Sequence, residues 1–161
     1  MDQGHVHQAY AALQKKYSLP SYDLLNQAFE LLYITPICHI DFPLRFVRRR
    51  MVDKIGMICN FLQTMLQPKP SSLIYLKESS FFTADDRQQM SDLLRQGMQW
   101  ERESMLLDVD HDEQADARFI KDVFQRWKKF KEQYASLAKK LPEGWKQADN
   151  HQPKMKNPYV G

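Results

Sequence analysis

Residues 42–66 have the sequence FPLRFVRRRMVDKIGMICNFLQTML, and this stretch decides the fold class. At 100° per residue, its apolar side chains recur at alternating steps of three and four, which is the spacing of a helix with a buried face. Further apolar residues lie outside this stripe, as is typical of a helix in the middle of a bundle. Pro43 is favourable in a first helical turn, and the prolines at 68 and 70 cannot continue the helix. The stripe consists of Leu44, Val47, Met51, Ile55, Ile58, Leu62 and Met65.

One charged residue lies inside this stripe. Arg48 falls between Leu44 and Met51, where an unpaired charge would be costly to bury. We expect an ion pair with residues 78–116, which hold eleven acidic and three basic residues, a net charge of −8. A ligand-binding arginine is the alternative. The candidate partners are Asp86, Glu101 and Glu103.

The same spacing of apolar residues predicts five more helices. The chain has few glycines and many leucine, methionine, lysine and glutamine residues, which favours helix. We predict an all-α fold, a single-domain antiparallel helical bundle of five or six helices within residues 1–146. Pro142 and Gly144 are expected to end the last helix, and residues 147–161 to form a flexible C-terminal tail. The five helices cover residues 3–17, 22–33, 72–78, 83–107 and 112–141.

Three local features of these helices carry expectations about packing. Leu73 and Leu76 are the expected buried face of the short helix that begins at residue 72. Thr83 is the expected N-cap of the next helix, because its hydroxyl can accept a bond from a free backbone N–H. On that helix Gly97 is expected to leave room for a large neighbour such as Trp127.

The residues that could bind metal do not have the spacings of known metal sites. Cys38, His39 and Asp41 lie close together, but structural zinc sites need paired ligands that are absent here. Residues 108–112 resemble the start of a calcium loop, yet the sixth position lacks the required glycine. We therefore predict no metal and no cofactor. Cys38 and Cys59 are expected to be free thiols, with Cys59 buried and inert.

The chain also lacks the motifs of common enzymes and of membrane proteins. No nucleophile elbow, phosphate-binding loop, dinucleotide fingerprint or zinc-protease motif occurs, so no catalytic residue is assigned. An enzyme with a scattered site remains an alternative. No run of about 18 apolar residues is present, and the N-terminus lacks the apolar core of a signal peptide. We expect a cytoplasmic protein without a membrane partner.

Two basic clusters form the candidate patch for a nucleic acid. They are large enough to contact a phosphate backbone, and such binding would be sequence-tolerant and salt-dependent. The aromatic residues in these segments fall mainly on buried stripes, so they do not supply stacking platforms. The acidic residues 78–116 could instead neutralise the basic ones within the bundle. The candidate patch consists of Arg45, Arg49, Arg50, Lys121, Lys128, Lys129, Lys139 and Lys140.

Four stretches resemble a family of uncharacterised small all-helical proteins of archaea. They are LPSYDLLNQAFEL at 19–31, RRRMVDKI at 48–55, LQPKPSSL at 66–73 and FFTADDR at 81–87. The resemblance covers most of residues 17–146 and implies a helical fold and a cytoplasmic location. It transfers no functional residues, because the family has no assigned activity.

These observations favour a non-enzymatic helical binding module. The leading hypothesis is a protein-interaction or assembly subunit that binds a protein partner or a second copy of itself through an exposed part of a helix stripe. A contiguous exposed apolar patch would support it. The alternative is an RNA- or DNA-binding protein that uses its basic helices.

Overall fold

The fold consists of helices packed around one central helix. The computed structural model describes residues 3–31 and 42–150, with side chains from residue 8 to residue 149. No strand occurs in this part of the chain, and the predicted all-α class is confirmed. Because Lys139 alone separates the last two helices, they can be counted as one broken helix, which gives six within the described ranges. The helices are α1 (Gln3–Tyr17), α2 (Tyr22–Phe29), α3 (Pro43–Leu66), α4 (Leu73–Ser79), α5 (Ala84–Leu107), α6 (Glu113–Ala138) and α7 (Lys140–Asn150).

The predicted central helix α3 contacts α1, α2, α4, α5 and α6. Every member of its predicted stripe is buried. Phe46, Phe61 and Val52 are partly buried on other sides and pack against the same core. The amphipathic pattern thus placed α3 correctly, because a helix with several apolar sides needs several neighbours.

Helix α5 runs antiparallel to α3. Arg48 of α3 contacts Ser104 of α5, and eleven residues later Cys59 lies against Gly97. A Cβ atom on Gly97 would lie 2.3 Å from the sulfur of Cys59, so the absence of a side chain allows this close approach. The expected neighbour of Gly97, Trp127, was wrong: the nearest side chains are Cys59, Ile55 and Phe130, and Trp127 packs against Phe130 and Phe29.

Helix α6 runs antiparallel to α5 and so parallel to α3. Trp100 of α5 contacts Phe130 of α6, and Asp86 at the start of α5 pairs with Lys140 just beyond α6. Thr83 caps α5 as predicted, with its hydroxyl and the Asp86 carboxylate forming a reciprocal capping box. These directions confirm the antiparallel order of successive long helices.

Helix α4 differs from its prediction. Leu73 is 81% exposed and Leu76 is 40% exposed, although both were expected to be buried. The buried residue of α4 is Ser79, whose hydroxyl donates to the carbonyl of Met65 at 2.9 Å. Arg87 also donates to Ser79. Polar contacts at one end therefore fix α4 and leave its apolar side facing solvent.

The end of the chain also differs from its prediction. Pro142 lies in the first turn of α7, where a backbone N–H has no helical partner in any case, so the proline is tolerated. Gly144 lies inside α7, and a Cβ atom there would be 2.4 Å from the ring of Phe81. The expected helix end at these two residues was wrong, because the glycine serves close packing and does not cap the helix.

Some predictions fall on residues outside the described ranges. They are the end of the second helix near Tyr33, the Cys38, His39 and Asp41 group, and residues 151–161 of the predicted tail. Within the described ranges α2 ends at Phe29, before the predicted end, and its C-cap Glu30 adopts a left-handed conformation.

None of the described helices is long and apolar enough to cross a lipid bilayer.

Candidate functional site

Arg48 is completely buried, and every nitrogen of its guanidinium donates a hydrogen bond. Its Nε atom donates to Asp116 Oδ1 at 2.6 Å, and Nη1 donates to the carbonyl oxygen of Ser104 at 2.8 Å and to the Ser104 hydroxyl. Its Nη2 atom donates to Asp108. Asp116 is itself 1% exposed. The predicted ion pair with the acidic residues 78–116 is therefore confirmed.

The three expected partners of Arg48 were wrong, because the sequence does not indicate how far α3 is shifted along α5. Arg48 lies opposite Ser104, near the carboxyl end of α5, so it reaches carboxylates at the connection to α6. Asp86 is 18 residues away along α5, about 27 Å at 1.5 Å per residue. Glu101 lies farther along α3, beside Gly56, and Glu103 is exposed. Helical periodicity predicts which face a residue occupies, but the relative shift of two helices is set by packing.

Three guanidinium groups converge on the same oxygen of Asp108. Arg48 binds it, Arg49 Nε donates to it at 3.2 Å, and Arg45 Nε lies 4.0 Å away. The Arg45 Nε atom is buried and has no hydrogen-bond partner among the described residues. Burial opposes ionisation of Asp108, but the hydrogen bonds from Arg48 and Arg49 outweigh it and hold the pKa of that carboxyl below its usual range. We call Arg45, Arg48, Arg49 and Asp108 the arginine cluster.

The remaining members of the candidate basic patch lie elsewhere. Arg50 pairs with Asp53 one turn along α3 at 2.9 Å. Lys140 binds both carboxylate oxygens of Asp86, at 2.7 and 2.6 Å. Asp86 and Asp108 are 22 residues apart on α5, roughly 33 Å along the axis. The structure therefore places the arginines and Lys140 at opposite ends of the bundle.

Four lysines of the patch form no ion pair with any carboxylate in the described part of the chain. Lys128, Lys129 and Lys139 are exposed, and Lys121 is half-buried. Nucleic-acid binding by these four lysines stays a prediction.

A second candidate surface lies on α4. Four consecutive large apolar residues are exposed there, about 100° apart around the helix axis, and we call them the α4 surface. Ser72 caps the helix by accepting a bond from the Tyr75 backbone N–H, which fixes its direction. Single exposed apolar residues are ordinary, whereas a contiguous group commonly marks an interaction site. The α4 surface consists of Leu73 (81% exposed), Ile74 (60%), Tyr75 (42%) and Leu76 (40%).

The end of α4 is attached to α7 through aromatic contacts. The ring of Phe81 packs edge-on against Trp145 with centroids 5.6 Å apart, and the Lys77 ammonium lies 5.7 Å from the Phe81 centroid. Trp145 Nε1 donates to Glu78 Oε1 at 3.0 Å. These contacts hold α4 in place at its carboxyl end while its apolar side chains face outward.

Sequence reasoning missed both the α4 surface and the role of Asp108. Helix α4 has seven residues, too few for its periodicity to distinguish a buried side from an exposed one. Asp108 follows α5, and in the sequence it belonged to a stretch that resembles a calcium loop, with no indication of an arginine partner. Its function as a shared acceptor depends on the packing of α3 against α5.

Among the described residues, no group of three or more potential metal ligands is close enough to hold a metal ion. Comparison of the chain with protein-family models, with curated proteins and with solved structures found no match.

Proposed function

We propose that this protein is a non-enzymatic interaction module that binds another protein through the α4 surface. The observation that carries the proposal is the exposure of four consecutive large apolar side chains on a helix that is held in place at its carboxyl end. A group of exposed apolar residues commonly marks an interaction site. Its burial by a partner would remove this area from water.

The charges beside the α4 surface favour a partner with carboxylates at the rim of its contact. Lys69 and Lys77 are exposed before and after the apolar residues in the chain, and neither forms an ion pair with a described carboxylate. In a symmetric dimer the same patch would face itself, which would bring the lysines of both copies together. A different protein with an acidic rim avoids this repulsion and would be attracted to the site.

The size of the α4 surface indicates a reversible interaction. Stable complexes bury about 800 Å² on each partner, which is more than four side chains can supply alone. Apolar burial contributes roughly 25 cal/mol per Å², and association itself costs about 4–15 kcal/mol. The net affinity should therefore depend strongly on the most exposed residues, Leu73 and Ile74.

The test compares two matched double variants as bait proteins. Leu73→Gln with Ile74→Gln alters the α4 surface, and Leu24→Gln with Met57→Gln alters isolated exposed residues on α2 and α3. The baits are incubated with nuclease-treated lysate, and the co-purified proteins are identified by mass spectrometry. A purified partner is then titrated by calorimetry. We expect the α4 variant to bind about 10–100-fold more weakly, and the control to bind as the wild type does.

Three outcomes would contradict the proposal. The same partner could bind both variants equally well. The wild type could form a dimer that depends on Leu73 and Ile74 in sedimentation experiments, which would make the partner a second copy. The protein could co-sediment with anionic lipid vesicles through the same two residues, which would make the α4 surface a membrane contact.

RNA or DNA binding is the second candidate function, and one observation favours it. Lys121, Lys128, Lys129 and Lys139 have no acidic partner among the described residues, so their charges are available. Mixed RNA and DNA should then bind at about 50 mM salt and dissociate as salt rises, because counterion release drives such binding. Charge reversal at Lys128 and Lys129 should weaken it without unfolding. No association at low salt would remove this candidate.

A cytoplasmic location and a relationship to the small helical archaeal proteins belong to the same proposal. Both rest on the sequence features described above.

A further inference from the structure

A groove of about 530 Å³ lies between α3 and α5, beside the arginine cluster. Its volume falls within the range of small-molecule sites, roughly 300–1,000 Å³. Phe46 and Val52 of α3 and Met105 of α5 supply apolar parts of the lining. Met105 is 57% exposed, so one edge of the groove is open to solvent. An apolar molecule of modest size could enter without moving the core.

The basic end of the groove has more hydrogen-bond donors than acceptors. Arg49 lines the groove with 56% of its side chain exposed, and its one hydrogen bond to a described residue goes to the Asp108 oxygen that also serves Arg48. Arg45 approaches the same oxygen, and its buried Nε has no acceptor among the described residues, but Arg45 does not line the groove. Arg48 already donates from all three of its nitrogens. Each guanidinium carries five N–H donors, so the donors left for a further oxyanion in the groove belong to Arg49.

We propose that this groove binds a small molecule with one carboxylate group and an apolar body. The carboxylate accepts hydrogen bonds from Arg49, and the apolar body contacts Phe46, Val52 and Met105. Asp108 keeps its hydrogen bond from Arg48, so the buried charge of Arg48 remains neutralised. The site is separate from the α4 surface and does not depend on the function proposed for it.

The charges around the groove favour a carboxylate over a phosphate. Arg50, Asp53 and Glu101 also line it, with Arg50 paired to Asp53, and Asp108 lies at the basic end. A dianionic phosphate would be repelled by these carboxylates more strongly than a monoanion. Arg49 already binds a carboxylate in the form of Asp108, and the planar guanidinium fits that group well.

The position of Asp108 also makes Arg49 available to a ligand. Asp108 is the C-cap of α5, where the helix dipole is negative and disfavours a carboxylate. Its ionised form is stabilised by hydrogen bonds from Arg48 and Arg49. The hydrogen bond from buried Arg48 is enough to stabilise the ionised Asp108. Arg49 can therefore release Asp108 and bind a ligand instead.

The test uses the full chain labelled with ¹³C at its methionine methyl groups. Hexanoate, acetate and phenyl phosphate are titrated separately at pH 7.5. We expect hexanoate to shift the Met105 signal with a dissociation constant on the order of millimolar. The signal of Met57, which is exposed on α3 and does not line the groove, should stay unchanged. Acetate has four fewer methylene groups and should bind at least about tenfold more weakly.

Two arginine variants distinguish the site from general charge attraction. Arg49→Gln should weaken hexanoate binding by about tenfold, because it removes a charge-assisted hydrogen bond. Arg95→Gln alters an arginine that is 67% exposed on α5 and does not line the groove, and should leave the affinity unchanged. Circular dichroism establishes that both variants are folded, which is expected because both side chains are mainly exposed.

The proposal is overturned if hexanoate leaves Met105 unshifted up to its solubility limit. Equal binding by the Arg49→Gln variant would show that the arginine does not hold the ligand. Tighter binding of phenyl phosphate than of hexanoate would show that the charge argument is wrong.

Discussion

Replacing Arg48 by alanine tests the buried ion pair and the packing of α3 against α5 and α6. The change leaves Asp116, which is 1% exposed, without its guanidinium partner, and it removes the donor to the Ser104 carbonyl. Breaking a buried ion pair on one side costs about 3–5 kcal/mol. For a chain of this length, a loss of 1 kcal/mol lowers the melting temperature by roughly 2–4 °C. We therefore expect a decrease on the order of 10 °C.

Thermal melting and urea unfolding, both followed by circular dichroism at 222 nm, measure the effect. Arg49→Ala is the matched control, because Arg49 binds the same Asp108 from a position that is 56% exposed. Exposed pairs contribute about 0–1 kcal/mol, so the control should change the urea midpoint little. An unchanged midpoint in Arg48→Ala would refute the burial of this residue and the register of α3 on which it depends.

A double variant tests whether the loss of stability in Arg48→Ala arises from the unpaired charge or from lost packing. Arg48→Met with Asp116→Leu removes both buried charges and fills the space with apolar groups. Replacement of a whole buried pair is often neutral or stabilising, so the double variant should be more stable than Arg48→Ala. If the double variant loses as much stability as Arg48→Ala or more, the destabilisation of Arg48→Ala does not arise from the unpaired charge.

Three further predictions concern the packing and the caps of the long helices. Gly97→Ala should destabilise the protein by about 1–3 kcal/mol in urea, because its Cβ would overlap Cys59 Sγ, whereas the same change in a Cys59→Ala background should cost much less. Thr83→Ala should cost about 1 kcal/mol in the same assay through loss of the capping box, and no change would contradict the role of the cap. The hydrogen bond from Lys140, assisted by two from Thr83, holds the pKa of Asp86 below its usual value despite burial. Since the folded pKa is below the unfolded value of about 4, ionised Asp86 stabilises the fold at neutral pH, and this contribution is lost as pH falls through the lowered pKa. Asp86→Asn should therefore destabilise the protein more at pH 7 than at pH 3, and an equal effect at both values would contradict the ion pair.

Burial of Cys59 makes its thiol unreactive, a property that the sequence indicated only in part. Its place on the apolar side of α3 predicted an inert residue, and the structure shows it free and 3% exposed. Burial is the main cause that raises its pKa to about 12, with smaller contributions from Glu101. The thiolate is therefore scarce at neutral pH, which is the physical basis of low reactivity.

The sequence by itself determined the helices and the face of each long helix that enters the core. The periodicity of α3 identified its buried stripe, and the same pattern predicted an ion pair for Arg48, with a ligand-binding role as the alternative. Side-chain spacing and N-caps such as Thr83 act within a few residues along the chain, so they can be read locally. Predictions made from spacing and caps were confirmed for the long helices, because the same apolar spacing recurs over many turns.

Only the tertiary structure decided which residues from different helices meet. The shift of α3 against α5 placed Asp108 and Asp116, and not Asp86 or Glu101, beside Arg48. Polar contacts of Ser79 turned the apolar side of α4 to solvent, against a prediction drawn from seven residues. Gly144 is needed for contact with Phe81 and does not end a helix. These outcomes depend on shape and close packing between distant segments, because interiors fill space at high density, and no local pattern in one segment encodes the shape of its neighbour.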